Sequence, residues 1–305
     1  MGTSIITDQT LTLREALHAA TQCLSEAHVD SPRLAAETIL AHAASLDRTR
    51  LLARLERPLA ADPRRTFQTL VSRCAAGEPL AYVLGHREFY GLDFAVDARV
   101  LIPRPETERL VETALEFARS RAPELCVADI GTGSGAIAVS LAAHLPHARI
   151  IATDLSRDAL DVARVNARRH HAEERIEFRQ GDLLSPIDEP IDVLAANLPY
   201  VTRAEWLSLP QSIRDYEPEL ALQGGSDGLD AVRRLLWEAP RIMRPAGLIL
   251  MEIGATQSRD ALDLAQREFP AAAMHVRPDY AGLDRLLVIH LPPQGSHAHA
   301  HLERR

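Results

Sequence analysis

Two short stretches of this chain carry residue types that can do chemistry, and each closes an apolar run. The first is Asp129-Ile130-Gly131-Thr132-Gly133-Ser134-Gly135; the second is Asn197-Leu198-Pro199-Tyr200. A glycine turn between a strand and a helix lets backbone approach a ligand closely. A pyrophosphate on the helix N-terminus is disfavoured by an acid beside it. Asp129, two residues before the first glycine, suits instead a nucleoside cofactor with a cationic amino acid end. S-adenosylmethionine has an ammonium, a sulfonium and no phosphate. The second stretch addresses a planar nitrogen, a poor nucleophile because its lone pair is delocalised. The Asn197 side-chain oxygen and the carbonyl of Leu198 or Pro199 can accept its two N–H groups and stabilise the positive charge that grows during transfer. Pro199 presets the backbone, and Tyr200 can stack on a flat target group. Asn197, Pro199 and Tyr200 are thus the candidate catalytic residues, for methyl transfer that needs neither a metal nor a covalent nucleophile.

Two further acids follow at strand ends. Asp154, 19 residues beyond Gly135, can take both ribose hydroxyls. In Gly181-Asp182-Leu183, Asp182 can accept from an adenine amino group while Leu183 packs on the ring. The plainer reading of Asp154 and Asp182, as acids capping helices, is outweighed by their spacing behind the glycine turn.

The elements that must position these residues are readable from periodicity. From 125 to 290 strands and helices alternate, which predicts an α/β fold with a mainly parallel, seven-stranded sheet. The strands are expected at 125–130, 149–153, 175–179, 191–196, 247–253, 273–277 and 284–290. Helices are expected at 135–145 and 157–169, with another beginning near Asp227. In such a sheet, ligands bind beyond the carboxyl ends of the strands at the topological switch point, so both turns should face one crevice. Before this, residues 80–102 read as a β-hairpin carrying Phe89, Tyr90, Phe94, Val96, Val100 and Ile102. Pro103-Arg104-Pro105 is forced extended, and a helix follows with Leu110, Val111, Ala114 and Leu115 inward.

Residues 12–77 read as short helices. Thr12 and Glu15 have capping-box spacing. Ser31-Pro32 marks a second start, with Leu34, Thr38, Ala41 and Ala44 along one face. A third helix carries Phe67, Leu70, Val71 and Cys74, closed by Gly77 in the left-handed conformation. The organisation expected is a helical bundle over 1–83, a hairpin linker over 84–104, a methyltransferase domain over 105–291 and a disordered tail over 292–305. The tail's His297, His299 and His301 could bind metal weakly; His18 and His42 read as structural or solvated.

The bulk numbers narrow the function. With 305 residues and 46% hydrophobic content, two domains and a sizeable core are expected. A net charge of −8 argues against a surface that coats nucleic acid. All 34 basic residues are arginine, which we read as coding bias. Cys23, Cys74 and Cys126 form no C-x-x-C pair and read as reduced core thiols of a cytosolic protein. No leader pattern opens the sequence, and no apolar run approaches the about 18 residues of a membrane span.

Beyond these features, the chain resembles the class I methyltransferases that modify glutamine in peptide chain release factors, the HemK/PrmC family. The resemblance covers nearly the whole length. It rests on the cofactor turn, Arg87-Glu88-Phe89-Tyr90-Gly91, and Leu101-Ile102-Pro103-Arg104-Pro105-Glu106-Thr107-Glu108. Tyr216-Glu217-Pro218, Leu220-Ala221-Leu222, the run Gly224 to Asp230, Glu252-Ile253-Gly254 and Asp284-Arg285 match as well. It implies a Rossmann-like catalytic domain behind an N-terminal helical bundle that recognises release factors. The cofactor would be S-adenosylmethionine, leaving S-adenosylhomocysteine, with no metal. Gly131 to Gly135, Asp154, Asp182 or Leu183, and Asn197 would hold it. Asn197, Leu198, Pro199 and Tyr200 would hold the glutamine of a Gly-Gly-Gln loop, giving N5-methylglutamine. Arg104 would either shape the substrate side or tie the linker to the catalytic domain. The family usually has Asn-Pro-Pro-Tyr; Leu198 departs from it at a position that affects loop rigidity and not the acceptors. The resemblance further implies a cytoplasmic monomer with no membrane or direct nucleic-acid contact. An adenine-N6 methyltransferase on DNA or RNA is the nearest rival and should carry a basic groove. A non-catalytic release-factor binder would lack an intact cofactor pocket, and a nicotinamide dehydrogenase would have different glycine spacing.

Overall fold

The computed structural model describes residues 11–121 and 123–294. The histidines at 297, 299 and 301 lie outside these residues. Two compact units emerge. One ends at Gly85 and takes in Gln211–Tyr216; the other begins at His86, breaks off at Pro210 and resumes at Glu217. The sequence reading placed 211–216 within the catalytic domain throughout.

The first unit is helical: α1 (Leu13–Glu26), α2 (Pro32–Ala43), α3 (Arg48–Leu52), α4 (Ala61–Ala75) and α5 (Leu80–Leu84). The expected capping box opens α1. Thr12 Oγ1 accepts from the Glu15 N–H, and the Glu15 carboxylate accepts from the Thr12 N–H at 2.8 Å. Leu13, Leu17, Ala20 and Leu24 line its buried stripe, with Phe67, Leu70, Val71 and Cys74 of α4 in the same core. Three expectations are corrected. Ser31 sits in the left-handed region and makes no side-chain cap, so Pro32 alone starts α2. Of the face expected for α2, Ala41 is buried and Leu34 is exposed; the buried apolar residues are Ala35, Ala36, Ile39, Leu40 and Ala41, because the helix packs against both α1 and α4. Cys23 lies beside the α1 stripe and is exposed, whereas Cys74 and Cys126 are buried.

The second unit opens with β1 (His86–Phe89) and β2 (Leu92–Ala95), an antiparallel hairpin. Tyr90 and Gly91 form its two-residue turn, both with positive φ, the geometry that matches strand twist. Arg104 is extended, as its flanking prolines require. The helix α6 (Glu108–Ala118) follows, burying Leu110, Val111, Ala114 and Leu115 as expected. Then come β3 (Cys126–Ile130), α7 (Ala136–His144), β4 (Arg149–Asp154), α8 (Arg157–Arg169), β5 (Ile176–Gln180) and β6 (Ile191–Ala196). After the short helices α9 (Arg203–Trp206) and α10 (Gln211–Tyr216), the chain runs through α11 (Asp230–Glu238), β7 (Met243–Glu252), α12 (Ser258–Glu268), β8 (Ala273–Pro278) and β9 (Asp284–His290). The strand order is β5-β4-β3-β6-β7-β9-β8, and β9 runs antiparallel to both neighbours. The sheet is thus the seven-stranded, mainly parallel one expected, with an apolar layer on each face. Its order reverses between β3 and β6, so the two motif-bearing turns lie side by side.

One residue fastens the hairpin to this sheet. Asn166, fully buried on α8, accepts from the Ala95 N–H at 2.7 Å and donates to the carbonyls of Ala95 at 3.0 Å and Ser134 at 2.8 Å. It joins the hairpin to the end of the glycine turn. Phe89 and Phe94 complete the attachment by packing edge to face over the core. Among the described residues, no helix is long and apolar enough to cross a membrane. Asn166→Ala strands one N–H and two carbonyls in the interior, and is expected to destabilise the protein by roughly 2–3 kcal/mol. Urea unfolding measures this, and a loss under about 0.5 kcal/mol would contradict the anchoring role.

Candidate active site

A cavity of about 400 Å³ opens at the carboxyl ends of β3, β4 and β6. This lies in the range of small-molecule sites. Gly131, Thr132, Gly133 and Ser134 form one wall, Asp154, Asp182 and Leu183 a second, and Asn197, Leu198 and Pro199 a third, with Arg104 and Thr107 at the linker side. Three predicted residues stand behind the wall and do not line it: Asp129, Gly135 and Tyr200.

The glycine turn is shaped by two carboxylates. Gly131, Gly133 and Gly135 all have positive φ. Asp129 is fully buried beneath the turn, where it accepts from the Thr132 hydroxyl at 2.6 Å and from the Ala138 N–H of α7 at 3.0 Å. Its other oxygen, Oδ1, has no hydrogen-bond partner among the described residues. Burial pushes its carboxyl up to about 7, against the pull of Thr132 and Ala138, and the nearby Asp154 charge adds to the rise. Asp154 accepts from the Gly133 N–H and from the Ser156 N–H, each at 2.8 Å, so it braces the turn from β4. Burial raises its carboxyl too, against those two N–H groups. Neither acid has an ion pair among the described residues, and Asp154, which lines the cavity, offers a carboxylate that a cationic ligand would neutralise. Gly135 serves packing: a Cβ there would lie 3.1 Å from the Ala163 Cβ of α8.

Asp182 is engaged with Arg234 of α11 at 2.6 Å, an exposed pair. Leu183 has positive φ, and its carbonyl accepts from the Thr153 hydroxyl at 3.2 Å.

The Asn197 turn is held by groups distant in sequence. Asn197 Nδ2 donates to Thr107 Oγ1 at 3.0 Å, and that hydroxyl donates to Glu252 at 2.6 Å. The Tyr200 hydroxyl donates to the other Glu252 oxygen at 3.2 Å. The phenol hydroxyl is thereby fixed to Glu252. Burial, then the Glu252 charge, hold the phenol well above its ordinary range. Burial likewise raises the Glu252 carboxyl, opposed by Thr107, Arg285 and Tyr200. Leu198 is buried, and its Cδ2 would lie 3.1 Å from a Cβ at Gly131. A Cβ at Gly224 would sit 2.5 Å from the Pro199 carbonyl oxygen. Gln257 closes the back, donating to the Tyr200 carbonyl at 3.0 Å and accepting from the Gly254 N–H at 2.7 Å.

Arg104 is ion-paired with Glu217 at 2.6 Å, and the Glu217 side chain, nearly inaccessible, also accepts from the Ile102 N–H at 3.3 Å. The pair ties the linker down while Arg104 still lines the cavity, so both sequence readings of Arg104 retain a structural basis.

Motif reading did not single out Thr107, Asn166 or Gln257 as working residues. Glu252 left two signals, as a lone acid ending the apolar run Leu248 to Met251 and as the first residue of the family-like stretch Glu252-Ile253-Gly254. Among the described residues, no group of three or more His, Cys, Asp or Glu side chains is placed to hold a metal.

Comparison with known proteins agrees with this architecture. A family profile described as PrmC N-terminal domain matches residues 15–85, and one described as methyltransferase domain matches 127–216. The release factor glutamine methyltransferase of Moorella thermoacetica is 48% identical over 276 residues, covering 90% of this chain and 97% of that protein. Its counterpart from Nitratidesulfovibrio vulgaris is 44% identical, covering 90% and 94%. Among solved structures, the human Mettl16 catalytic domain bound to an RNA hairpin superposes with a TM-score of 0.54 at 16% identity, covering 74% of this chain and 81% of that one; this likeness concerns the fold alone.

The buried acid beneath the glycine turn makes a pH prediction. An unfolded chain releases the Asp129 proton near 3.8 and the folded one near 7. Between those values the folded state binds the extra proton, so this site's contribution to stability falls as pH rises from about 4 to about 7 and is level above. Asp129→Asn cannot ionise. Its melting temperature relative to the parent should therefore be higher at pH 8 than at pH 5; a difference independent of pH would contradict the assignment.

Proposed function

Because the chain belongs to the release factor glutamine methyltransferase family, we propose that it moves a methyl group from S-adenosylmethionine to the side-chain nitrogen, N5, of the glutamine in the Gly-Gly-Gln motif of class-one peptide chain release factors. The observation that carries this reading is the sharing of one cavity by the glycine turn with Asp154 and by the Asn197-Leu198-Pro199 turn. An electrophile and a planar amide can meet there.

The donor set suits the proposed cofactor. Left-handed glycines expose the turn's backbone, and two carboxylates without ion pairs favour a cationic ligand. In this reading Gly131, Thr132, Gly133 and Ser134, with Asp154 and with Asp182 or Leu183, hold the nucleoside and its amino acid end. Asp129 and Gly135 act from behind, by shaping the turn. S-adenosylmethionine, when bound, supplies a methyl carbon made electrophilic by its sulfonium sulfur.

The chain's own part is to present the nitrogen. Asn197 Oδ1 accepts one N–H of the glutamine amide. A main-chain carbonyl of the turn accepts the other, and packing favours that of Leu198, since the Pro199 carbonyl faces the Gly224 backbone. These two acceptors orient the lone pair and stabilise the positive charge that develops on N5, which must shed one proton as its bond to carbon forms. Pro199 fixes the backbone between them, and Tyr200 supports the turn through Glu252. Arg104 lies on the linker side of the same cavity, where it can shape the substrate path.

The test is mass spectrometry of a class-one release factor incubated with this protein and S-adenosylmethionine. A single methyl on the Gly-Gly-Gln glutamine is expected, with Asn197→Ala slowing its appearance by about 100-fold or more. An unmodified glutamine despite cofactor binding would overturn the assignment.

A further inference from the structure

The Asn197 amide has two ends of nearly equal shape and opposite chemistry, one an acceptor and the other a donor of two hydrogens. Only one orientation presents its oxygen to an incoming N–H group. The other sets donor against donor.

A buried relay selects between them. Glu252, at the end of β7, is 2% exposed and makes no ion pair among the described residues. It accepts from the Thr107 hydroxyl at 2.6 Å. A hydroxyl has one hydrogen, so Thr107 directs it to Glu252 and offers Asn197 only lone pairs. Asn197 answers with Nδ2 at 3.0 Å, which turns Oδ1 the opposite way. The second Glu252 oxygen accepts from Tyr200, three residues beyond Asn197, so one carboxylate holds both ends of the turn. The Thr107–Glu252 link is short and buried and the other two are part-buried, so a misdirected donor between Thr107 and Glu252 would be left unpaired at high cost.

We propose that Thr107 and Glu252 are positioning residues for methyl transfer, fixing the Asn197 side chain with its oxygen toward the amide nitrogen that receives the methyl. This deepens the reading of the cavity as a glutamine N5 site and rests on it. The reaction needs no proton to pass along the relay. Its function is geometric, since an amide already turned correctly loses no time or entropy in being aligned when substrate arrives. Thr107 also lines the cavity, so the residue that orients Asn197 borders the space the amide would enter.

The test uses the full chain, with a class-one release factor as substrate. Thr107→Val keeps the shape and removes the hydroxyl; Thr107→Ser keeps the hydroxyl and removes the methyl. Thr107→Val is expected to lower kcat about tenfold, the scale of one hydrogen bond in the transition state, while the calorimetric Kd for S-adenosylmethionine stays within about twofold of the parent's. Thr107→Ser is expected to restore kcat to within about twofold. Independently of turnover, the Asn197 side-chain amide protons, followed in 15N–1H spectra, should exchange faster in Thr107→Val than in the parent or Thr107→Ser. If the valine variant does not fold, Thr107→Ala is compared with Thr107→Ser in the same way. Valine and parent enzymes of equal kcat, or a serine variant as slow as the valine one, would overturn the relay. A parent protein that leaves the glutamine unmodified would count against the proposed function instead, and the amide-exchange comparison would still decide the relay.

Discussion

The Asn197 turn is pressed from two sides by backbone without side chains, and the rest of the site depends on that close approach. On one side lies Gly131, whose missing Cβ leaves room for the Leu198 side chain. On the other lies Gly224, where any Cβ would strike the Pro199 carbonyl oxygen and the Tyr200 Cα, at 2.5 and 2.8 Å. The sheet brings the ends of β3 and β6 together because they are parallel neighbours at its switch point. Topology alone would leave a gap between them that ordinary residues would fill. Glycines close it, and the cofactor turn and acceptor turn become walls of a single cavity.

Many acids of this protein meet an arginine, most of them at the surface, where such pairs contribute little to stability, and a few, Glu37 and Glu217 among them, in the interior. Asp129 and Glu252, both buried, and the half-buried Asp154 are different: hydroxyls and backbone N–H groups answer them and no ion pair does among the described residues. Keeping Asp154 without a protein cation leaves the cavity attractive to a positively charged ligand, while Asp129 shapes the turn from beneath. Keeping Glu252 without one lets it orient hydroxyls, since an arginine in that place would take the lone pairs that Thr107 and Tyr200 now use. The raised carboxyl of Asp129 is the physical mark of this arrangement, and it is a cost to the fold that the site requires.

How far the sequence discloses this follows from the range of each interaction. Strands read from apolar runs agree with the structure to within a few residues, because burial on both sheet faces leaves a continuous signal. The two turns are visible for the same reason: each is local. Thr107, Asn197 and Glu252 are separated by 90 and 145 residues in their pairings, and no periodicity records who faces whom across a sheet end. Ser31 and Leu34 were misread because a helix start has two local solutions, a side-chain cap or a proline with a left-handed residue before it, and tertiary packing chose the second. The ring of Tyr200 is legible in the sequence but the partner of its hydroxyl is not. That hydroxyl, which a buried environment must satisfy, is fixed to Glu252. The grouping of Gln211–Tyr216 with the helical unit has a local trace only in Tyr216, whose hydroxyl donates to the Ala76 carbonyl at 3.3 Å.

Leu198 shows how one departure from a family pattern can be absorbed. A proline at this position would stiffen the turn covalently, by fixing φ. Leucine leaves φ free, yet here it is 5% exposed and lodged against Gly131. Its side chain supplies by packing the restraint that a ring would supply by bonding, and it does so against the backbone of the cofactor turn. The two turns are thereby coupled more directly than a proline would couple them: a shift of Gly131 is felt by Leu198, and through it by the carbonyl offered to the target amide. The Asn197 side chain is insulated from that shift, because Thr107 and Glu252 hold it from the opposite side. The backbone of the turn thus follows the glycine turn while the Asn197 side chain is referenced to β7, which under the proposed function separates the two acceptors that a planar amide would meet.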